Sequence, residues 1–215
     1  MEVSMTPKKI YYENLADTII DKFNKRGIEG YYCEDAESAL ATAKRFLTPG
    51  CSISWGGSQT LEEIGLLEEL SASDYVLYDR STAQTPEEKL LMYSKTVMAD
   101  YYFMSSNAIT LDGQLVNIDG AGNRVACLIT GPRNVIIVAG MNKIVTDVDT
   151  AIERVRNMAT PPNVVRLGKN TPCAETGKCA NCLVPDCICN QIVITRRSGT
   201  PGRIKVLLIG EELGY

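Results

Sequence analysis

The chain has 215 residues, of which 45% are hydrophobic and 22% are charged, and its net charge is −4. This composition is typical of a globular protein, and the length suffices for one large domain with a sizeable core. Because binding to phosphate backbones requires a basic surface, the mild negative charge disfavours a nucleic-acid partner. No apolar run approaches the roughly 18 residues of a membrane span, and residues 1–10 lack the apolar region of a secretory signal. We therefore expect a cytoplasmic protein with no membrane partner.

The chain contains no histidine and eight cysteines. The absence of histidine excludes Ser–His and Cys–His nucleophile pairs within this chain, and it excludes histidine-ligated metals. A general base must then be a carboxylate, a lysine, a tyrosine or a cysteine. Five of the cysteines lie between Cys173 and Cys189. In a reducing cytosol such crowding indicates metal or redox chemistry rather than structural disulfides.

The first half of the chain alternates between helix and strand patterns. Apolar residues at a spacing of four predict helices, and short apolar runs after glycine or proline predict strands. Two capping boxes, Thr60 with Glu63 and Thr85 with Glu88, predict the starts of two helices. The predicted elements are a helix at 10–26, a strand at 30–33, a helix at 35–47, a strand at 51–55, a helix at 61–70, a strand at 75–78, a helix at 85–98 and a strand at 101–105.

The second half begins with a hairpin signal and ends with two strands. Asp112-Gly113 between short apolar runs predicts a β-hairpin over 109–118. The later elements are a short helix at 123–128, a buried central strand at 134–139, a helix at 147–158 that Pro161-Pro162 ends, and strands at 191–195 and 204–209. Together the elements predict an α/β fold, a mostly parallel sheet with helices on both faces plus the hairpin. In such sheets ligands bind at the carboxyl ends of the strands.

A glycine-rich loop connects a predicted strand to a capped helix, and we call residues 56–60 the glycine loop. Gly56 and Gly57 let the backbone approach a ligand closely, and the helix that follows offers unpaired N–H groups. Ser58 and Thr60 add hydroxyl donors, so the expected ligand is a small anion, a phosphate or a carboxylate. The alternative is a tight turn followed by a helix cap. The spacing is neither a Walker loop nor a dinucleotide-binding fingerprint.

A second polar segment runs from Asn107 to Arg124. Small residues let a loop line a cleft while polar neighbours reach a ligand. We predict that Asp119 is a catalytic base. The predicted ligand-binding residues of this segment are Asn107, Gly120, Gly122, Asn123 and Arg124. The alternative is a hairpin followed by a helix that Asp119 or Asn123 caps. Beyond the central strand, Lys143 could meet an acid or be solvated.

The cysteines of residues 168–190, the cysteine loop, have the spacing Cys-x5-Cys-x2-Cys-x4-Cys-x-Cys. Cys-x2-Cys is typical of metal knuckles, and four thiolates suit zinc or an iron–sulfur cluster. We predict that one metal centre is bound by Cys173, Cys179, Cys182 and Cys189. Cys187 is left out because a single residue separates it from Cys189, which makes joint chelation awkward. The alternatives are reduced thiols or a redox disulfide.

Several segments of the chain resemble the LUD family, the lactate-utilisation domain of LutC-like and LutB-like proteins. They are residues 54–65, 104–125 and 131–144, and the cysteine tail 171–190 resembles a short stand-alone subgroup. The likeness covers roughly residues 5–213, which we interpret as a single domain containing the cysteine loop. Membership would imply a fold akin to ribose-5-phosphate isomerase and the CoA-transferases, and a link to lactate or related organic-acid metabolism.

Three hypotheses of function follow. The chain is an enzyme or enzyme subunit acting on a small organic anion of the lactate and pyruvate class. It is instead an accessory or redox protein, with zinc or an iron–sulfur cluster at the cysteine loop, that docks a protein partner or a second copy. Or it is a non-catalytic sensor of a small anion.

Overall fold

The computed structural model describes residues 6–215, which form two β-sheets surrounded by helices. The strands are β1 (Glu29–Cys33), β2 (Ser52–Trp55), β3 (Val76–Tyr78), β4 (Tyr101–Met104), β5 (Ala108–Thr110), β6 (Leu115–Asp119), β7 (Asn134–Gly140), β8 (Ile144–Val145), β9 (Gln191–Thr195) and β10 (Ile204–Ile209). The α-helices are α1 (Pro7–Lys25), α2 (Ala36–Arg45), α3 (Gln59–Glu63), α4 (Leu66–Ser71), α5 (Pro86–Met98), α6 (Asn123–Ile129), α7 (Val148–Arg154), α8 (Thr160–Arg166) and α9 (Pro172–Thr176).

The larger sheet has six parallel strands in the order β1-β10-β7-β4-β2-β3. Alternate residues of β7 enter different cores, as the two-residue period of a strand requires. Ile137 belongs to the core beneath α1 together with Phe23, whereas Val138 belongs to the opposite core with Ala39 and Leu61. The prediction of a buried central strand and of helices on both faces of a mostly parallel sheet is therefore confirmed.

The smaller sheet has the order β8-β5-β6-β9 and contains the predicted hairpin. Strands β5 and β6 are antiparallel, and Gly113 in their turn has φ +79°, a conformation that glycine adopts without strain. Ala108 and Val116 of this sheet pack against Ala151 of α7. The pairing carries Asp119, the last residue of β6, toward the edge of the larger sheet at which β2 and β4 end.

Two local predictions are wrong. The helix predicted at 61–70 is two helices, because Gly65 lies between them with φ +72°. Thr60, the predicted cap, does not start the first of them. Ser58 is the N-cap of α3, so Thr60 lies inside the helix and its hydroxyl is free for another partner. Pro161-Pro162 do not end the helical path: a π-helical turn at Val155–Ala159 joins α7 directly to α8. Both prolines then occupy the first turn of α8, where a missing N–H costs little.

The predicted start of the helix at 85–98 is confirmed. Thr85 and Glu88 form the capping box that starts α5. The cysteine loop contains only α9 as regular structure. Within residues 6–215, no helix combines the length and the hydrophobicity needed to cross a bilayer.

Candidate functional site

A cavity of about 260 Å³ opens at the carboxyl ends of β2, β3, β4 and β7. Ligand sites of parallel sheets are found at this edge. The glycine loop follows β2 and forms one wall, and the end of β6 forms another. Helix α8 and Ile188 of the cysteine loop complete the lining. The two polar segments singled out from the sequence therefore face the same space.

The glycine loop is held against basic side chains. A Cβ atom on Gly57 would lie 2.5 Å from Nη2 of Arg80, so the guanidinium group lies directly beside the loop. Gly56 lies behind the cavity wall, where a Cβ atom would be 3.1 Å from the Tyr102 hydroxyl and 3.3 Å from Cδ of Arg124. A side chain at Gly57 would displace the flexible end of Arg80, whereas one at Gly56 would crowd Tyr102 and Arg124, and of the two glycines only Gly57 lines the cavity.

Lys143 is the buried cation of the site. It ends the 3-10 turn that follows β7, and its side chain is 3% exposed. Nζ donates hydrogen bonds to Oγ1 of Thr60 at 2.8 Å and to Oγ of Ser105 at 2.9 Å. Burial lowers the pKa of Lys143 from its usual 10.5 to about 7, and the positive charge of Arg154 acts in the same direction. A large fraction of this amine is therefore neutral at physiological pH.

Arg124 is enclosed by oxygen atoms of the second polar segment. Nη1 donates to Oδ1 of Asn117 at 2.5 Å, and Nη2 donates to Oδ1 of Asn107 at 2.8 Å. Each of these nitrogens also donates to a main-chain oxygen, and Nε lies 3.4 Å from Oδ2 of Asp119. The four N–H groups of Nη1 and Nη2 are thus hydrogen-bonded within the protein, and Nε forms an ion pair with Asp119. Arg124 therefore contributes positive charge to the cavity wall rather than an unpaired hydrogen-bonding fork.

Asp119 combines a local structural contact with an unused acceptor. Oδ1 accepts a hydrogen bond from the amide of Gly122 at 2.8 Å, ahead of α6, so the predicted local contact with the helix start is present. Oδ2 accepts no hydrogen bond from residues 6–215, even though Asp119 is buried, with only 7% of its surface exposed. Oγ of Ser58 is equally buried and unpaired within the described residues. Because buried polar atoms rarely lack partners, both point to a ligand in the cavity that they line.

The charge of the cavity wall is predominantly positive. Four basic residues line it, and Asp119 is the only acidic side chain that residues 6–215 contribute. The basic residues are Arg80, Arg124, Lys143 and Arg166. Such a wall concentrates anions and repels cations.

The structure brings most of the predicted ligand-binding residues into the cavity. Those that line it are Gly57, Ser58, Thr60, Asn107, Asp119, Gly120, Asn123 and Arg124. Gly122 does not; with φ +82° it is the N-cap of α6. The sequence did not single out Ser105, Arg80 or Arg154 for this region. Arg154, 6% exposed, donates to the main-chain oxygen of Asn107 at 2.8 Å and so fixes that side of the site.

The cysteine loop gathers some of its thiols against the π-helical turn. The amide of Asn181, at φ +49°, donates to Sγ of Cys179 at 3.4 Å, and the amide of Cys189 donates to Sγ of Cys187 at the same distance. Sγ of Cys189 lies 3.7 Å from Oγ1 of Thr160. Burial raises the pKa of the Cys189 thiol, and negative charge on three other cysteines raises it further. These three are Cys187, Cys179 and Cys173.

In the described part of the chain, no three or more His, Cys, Asp or Glu side chains are positioned to hold a metal ion. All eight cysteines are free thiols. The predicted metal centre at Cys173, Cys179, Cys182 and Cys189 stays a prediction. The neighbourhood of Cys189 includes Cys187, the residue that spacing left out, because the Cys189 amide donates to Sγ of Cys187 and the Cys187 charge acts on the Cys189 thiol.

Comparison with known proteins decides the family. A family model described as the LUD domain matches residues 16–209. This chain belongs to the LUD domain family. The resemblance drawn from the sequence motifs is thereby confirmed. A search of curated proteins finds no match to this LUD domain.

Solved structures support the fold of this LUD domain. A DUF162 family protein from Deinococcus radiodurans is similar with a TM-score of 0.53 and 15% identity, over 92% of this chain and 98% of that one. eIF2B delta from Chaetomium thermophilum gives a TM-score of 0.33 and 17% identity, over 49% of this chain and 46% of that one. Ribose 5-phosphate isomerase A from Methanocaldococcus jannaschii gives a TM-score of 0.32 and 13% identity, over 73% of this chain and 68% of that one. At these identities the first likeness concerns the fold alone, and the other two carry no argument.

Proposed function

We propose that this LUD domain binds a small organic acid of the lactate and pyruvate class in the cavity and acts on it, as an enzyme or as an enzyme subunit in organic-acid utilisation. The observation that carries the proposal is the composition of the cavity wall, where the described residues supply three arginines against one acidic side chain, beside the largely neutral Lys143. The volume of about 260 Å³ is close to the lower limit of about 300 Å³ for small-molecule pockets, which favours a compact ligand.

The positions of the polar groups suggest how such an acid would bind. Its carboxylate would lie at the glycine loop beside Arg80, where a guanidinium fork matches two carboxylate oxygens. Its hydroxyl or carbonyl group would then face Lys143 and Asp119. Oδ2 of Asp119 makes no hydrogen bond among residues 6–215, although it forms an ion pair with Nε of Arg124 at 3.4 Å. It would accept a hydrogen bond or a proton from the ligand, in keeping with the role of base, and Oγ of Ser58 would supply a further polar contact.

Calorimetry and thermal-shift measurements with L-lactate and pyruvate test this proposal, with lactamide as the neutral counterpart of lactate. A ligand at a hundred times its dissociation constant should add about 2.7 kcal/mol to the free energy of unfolding. Arg80→Gln should weaken binding of the acids. Arg133→Gln is the matched control, because Arg133 is exposed and precedes β7 at the opposite edge of the sheet. Equal binding of lactamide, or no binding of either acid, would refute the proposal.

Turnover distinguishes the enzyme from the sensor. Consumption of a bound acid, on addition of an electron acceptor for lactate, supports an enzyme. Tight binding of both acids without consumption would favour the sensor, since the same cavity serves either role.

A second function, a metal-bearing accessory or redox protein, is favoured by the amide-to-sulfur hydrogen bonds at Cys179 and Cys187. Such bonds stabilise thiolates, and metal ligands depend on groups that orient them. Cys173, Cys179 and Cys189 would supply three thiolates to zinc or an iron–sulfur cluster, and Cys182 or Cys187 would supply the fourth.

Elemental analysis and visible spectra of protein purified without oxygen test this second function. Cys182→Ser and Cys187→Ser are a matched pair, and the variant that loses metal identifies the fourth ligand. Less than about a tenth of an equivalent of metal in the unmodified protein would exclude the metal centre.

A further inference from the structure

Lys143 differs from an ordinary buried cation because its partners are hydroxyl groups. Among residues 6–215, no salt bridge within 4.0 Å involves its amine. Buried ammonium groups are normally compensated by a carboxylate, since removing an isolated charge from water costs much free energy. Here the two oxygens within hydrogen-bond distance belong to Thr60 and Ser105. The charges of Arg154 and Arg124 lower the pKa of Lys143, and the more distant carboxylate of Glu63 only partly opposes them.

The number of acceptors matches the neutral amine. An ammonium group carries three N–H donors, whereas a neutral amine carries two and keeps one lone pair. Thr60 and Ser105 accept two hydrogen bonds from Nζ, which satisfies both donors of the neutral form. The lone pair is then left for a ligand in the cavity that Lys143 lines. A desolvated lysine of this kind is the usual amine nucleophile toward carbonyl groups.

We propose that Lys143 forms an imine with a 2-oxo acid, so that this class of ligand is held by a reversible covalent bond. The inference rests on the proposed function, because it requires the anion to bind in the same cavity. Arg80 and the glycine loop would hold the carboxylate, which places the neighbouring carbonyl carbon toward Nζ.

The reaction needs no oxidant or reductant. The lone pair of Nζ attacks the carbonyl carbon, a C–N bond forms, and the carbonyl π electrons move to the oxygen. The amine loses two protons in total, and both are transferred to that oxygen, which leaves as water when the C=N bond forms. Thr60 and Ser105, already hydrogen-bonded to Nζ, are placed to relay these protons. L-Lactate, which has no carbonyl beside its carboxylate, would bind without forming the bond.

Reductive trapping tests the inference in the full chain. The protein is incubated with pyruvate and cyanoborohydride, digested, and mapped by mass spectrometry. The expected result is a carboxyethyl group on Lys143, formed faster than on surface lysines and suppressed by excess L-lactate. Lys143→Arg should lose the fast adduct, and Lys169→Arg, which changes an exposed lysine, should keep it. The mapping of the unmodified protein identifies the site even if the Lys143 variant does not fold.

Binding of pyruvate and L-lactate, measured by calorimetry without reductant, separates the two possible failures. If pyruvate binds but Lys143 is labelled no faster than surface lysines, the imine is refuted and the proposed function stands. If labelling at Lys143 is fast but excess lactate does not suppress it, the adduct does not form in the acid-binding site and the inference is again refuted. If neither acid binds, the proposed function fails and this inference fails with it.

Discussion

Replacing Lys143 by methionine should change how the stability of the protein depends on pH. The pKa of Lys143 is about 7 in the folded protein and returns to about 10.5 on unfolding. Between these values the unfolded chain binds one more proton than the folded chain. Lys143 therefore destabilises the fold most below pH 7, and this penalty is relieved as the pH rises toward 10.5.

The size of the effect follows from one proton. The free energy of unfolding of the unmodified protein should rise, relative to the variant, by up to about 1.4 kcal/mol per pH unit. Between pH 7.5 and 9.5, the relative gain should total about 2.5 kcal/mol. Urea denaturation at several pH values measures it, and subtracting the variant removes the titration of tyrosines and cysteines common to both.

Lys169→Met is the control for this measurement, because Lys169 is exposed and pairs with Asp186 at the surface. Its stability should keep a nearly constant difference from that of the unmodified protein up to pH 9.5. If Lys143→Met behaves in the same way, Lys143 is protonated in the folded protein. The argument from burial and from the two hydroxyl partners would then be wrong.

Three further substitutions test other parts of the structure. Asp119→Asn should cost about 3 kcal/mol in urea denaturation, because the buried Arg124 loses its carboxylate; a variant as stable as the unmodified protein would show that the pair contributes nothing. Gly57→Val should displace the side chain of Arg80 with a stability change within about 1 kcal/mol, yet abolish the thermal shift caused by pyruvate; an unchanged shift would remove the glycine loop from the site. Thr85→Ala should cost about 1 kcal/mol through loss of the α5 cap, with ligand affinity unchanged, and a larger affinity change would contradict the location of the cavity.

Patterns that depend on local chemistry were readable from the sequence. The apolar run of β7 predicted a central strand, Asp112-Gly113 predicted the hairpin, and Thr85 predicted the start of α5. The topological rule for parallel sheets predicted a ligand site at the carboxyl ends of the strands, and a cavity lies at that edge. These features agree because each element's local preference matches its place in the fold.

The features that the sequence did not predict depend on contacts between distant residues. Thr60 fits the local pattern of a capping box, but its hydroxyl binds Lys143, which is 83 positions away. A lysine at a strand end is normally solvated, and only the assembled cavity shows that this one is buried. The spacing of the cysteines likewise gave no indication that the amide of Cys189 donates a hydrogen bond to Sγ of Cys187.

Ile188 lies between Cys187 and Cys189, and it also lines the cavity. A Cβ atom on Gly120 would be only 3.3 Å from the Cα atom of Ile188, so this wall has little free space. We therefore expect oxidation or metal binding that moves the two thiols to move part of the surface that lines the cavity. Thermodynamic linkage makes such an effect reciprocal: if a change at these cysteines alters the affinity for the acid, the acid alters the free energy of that change by the same amount.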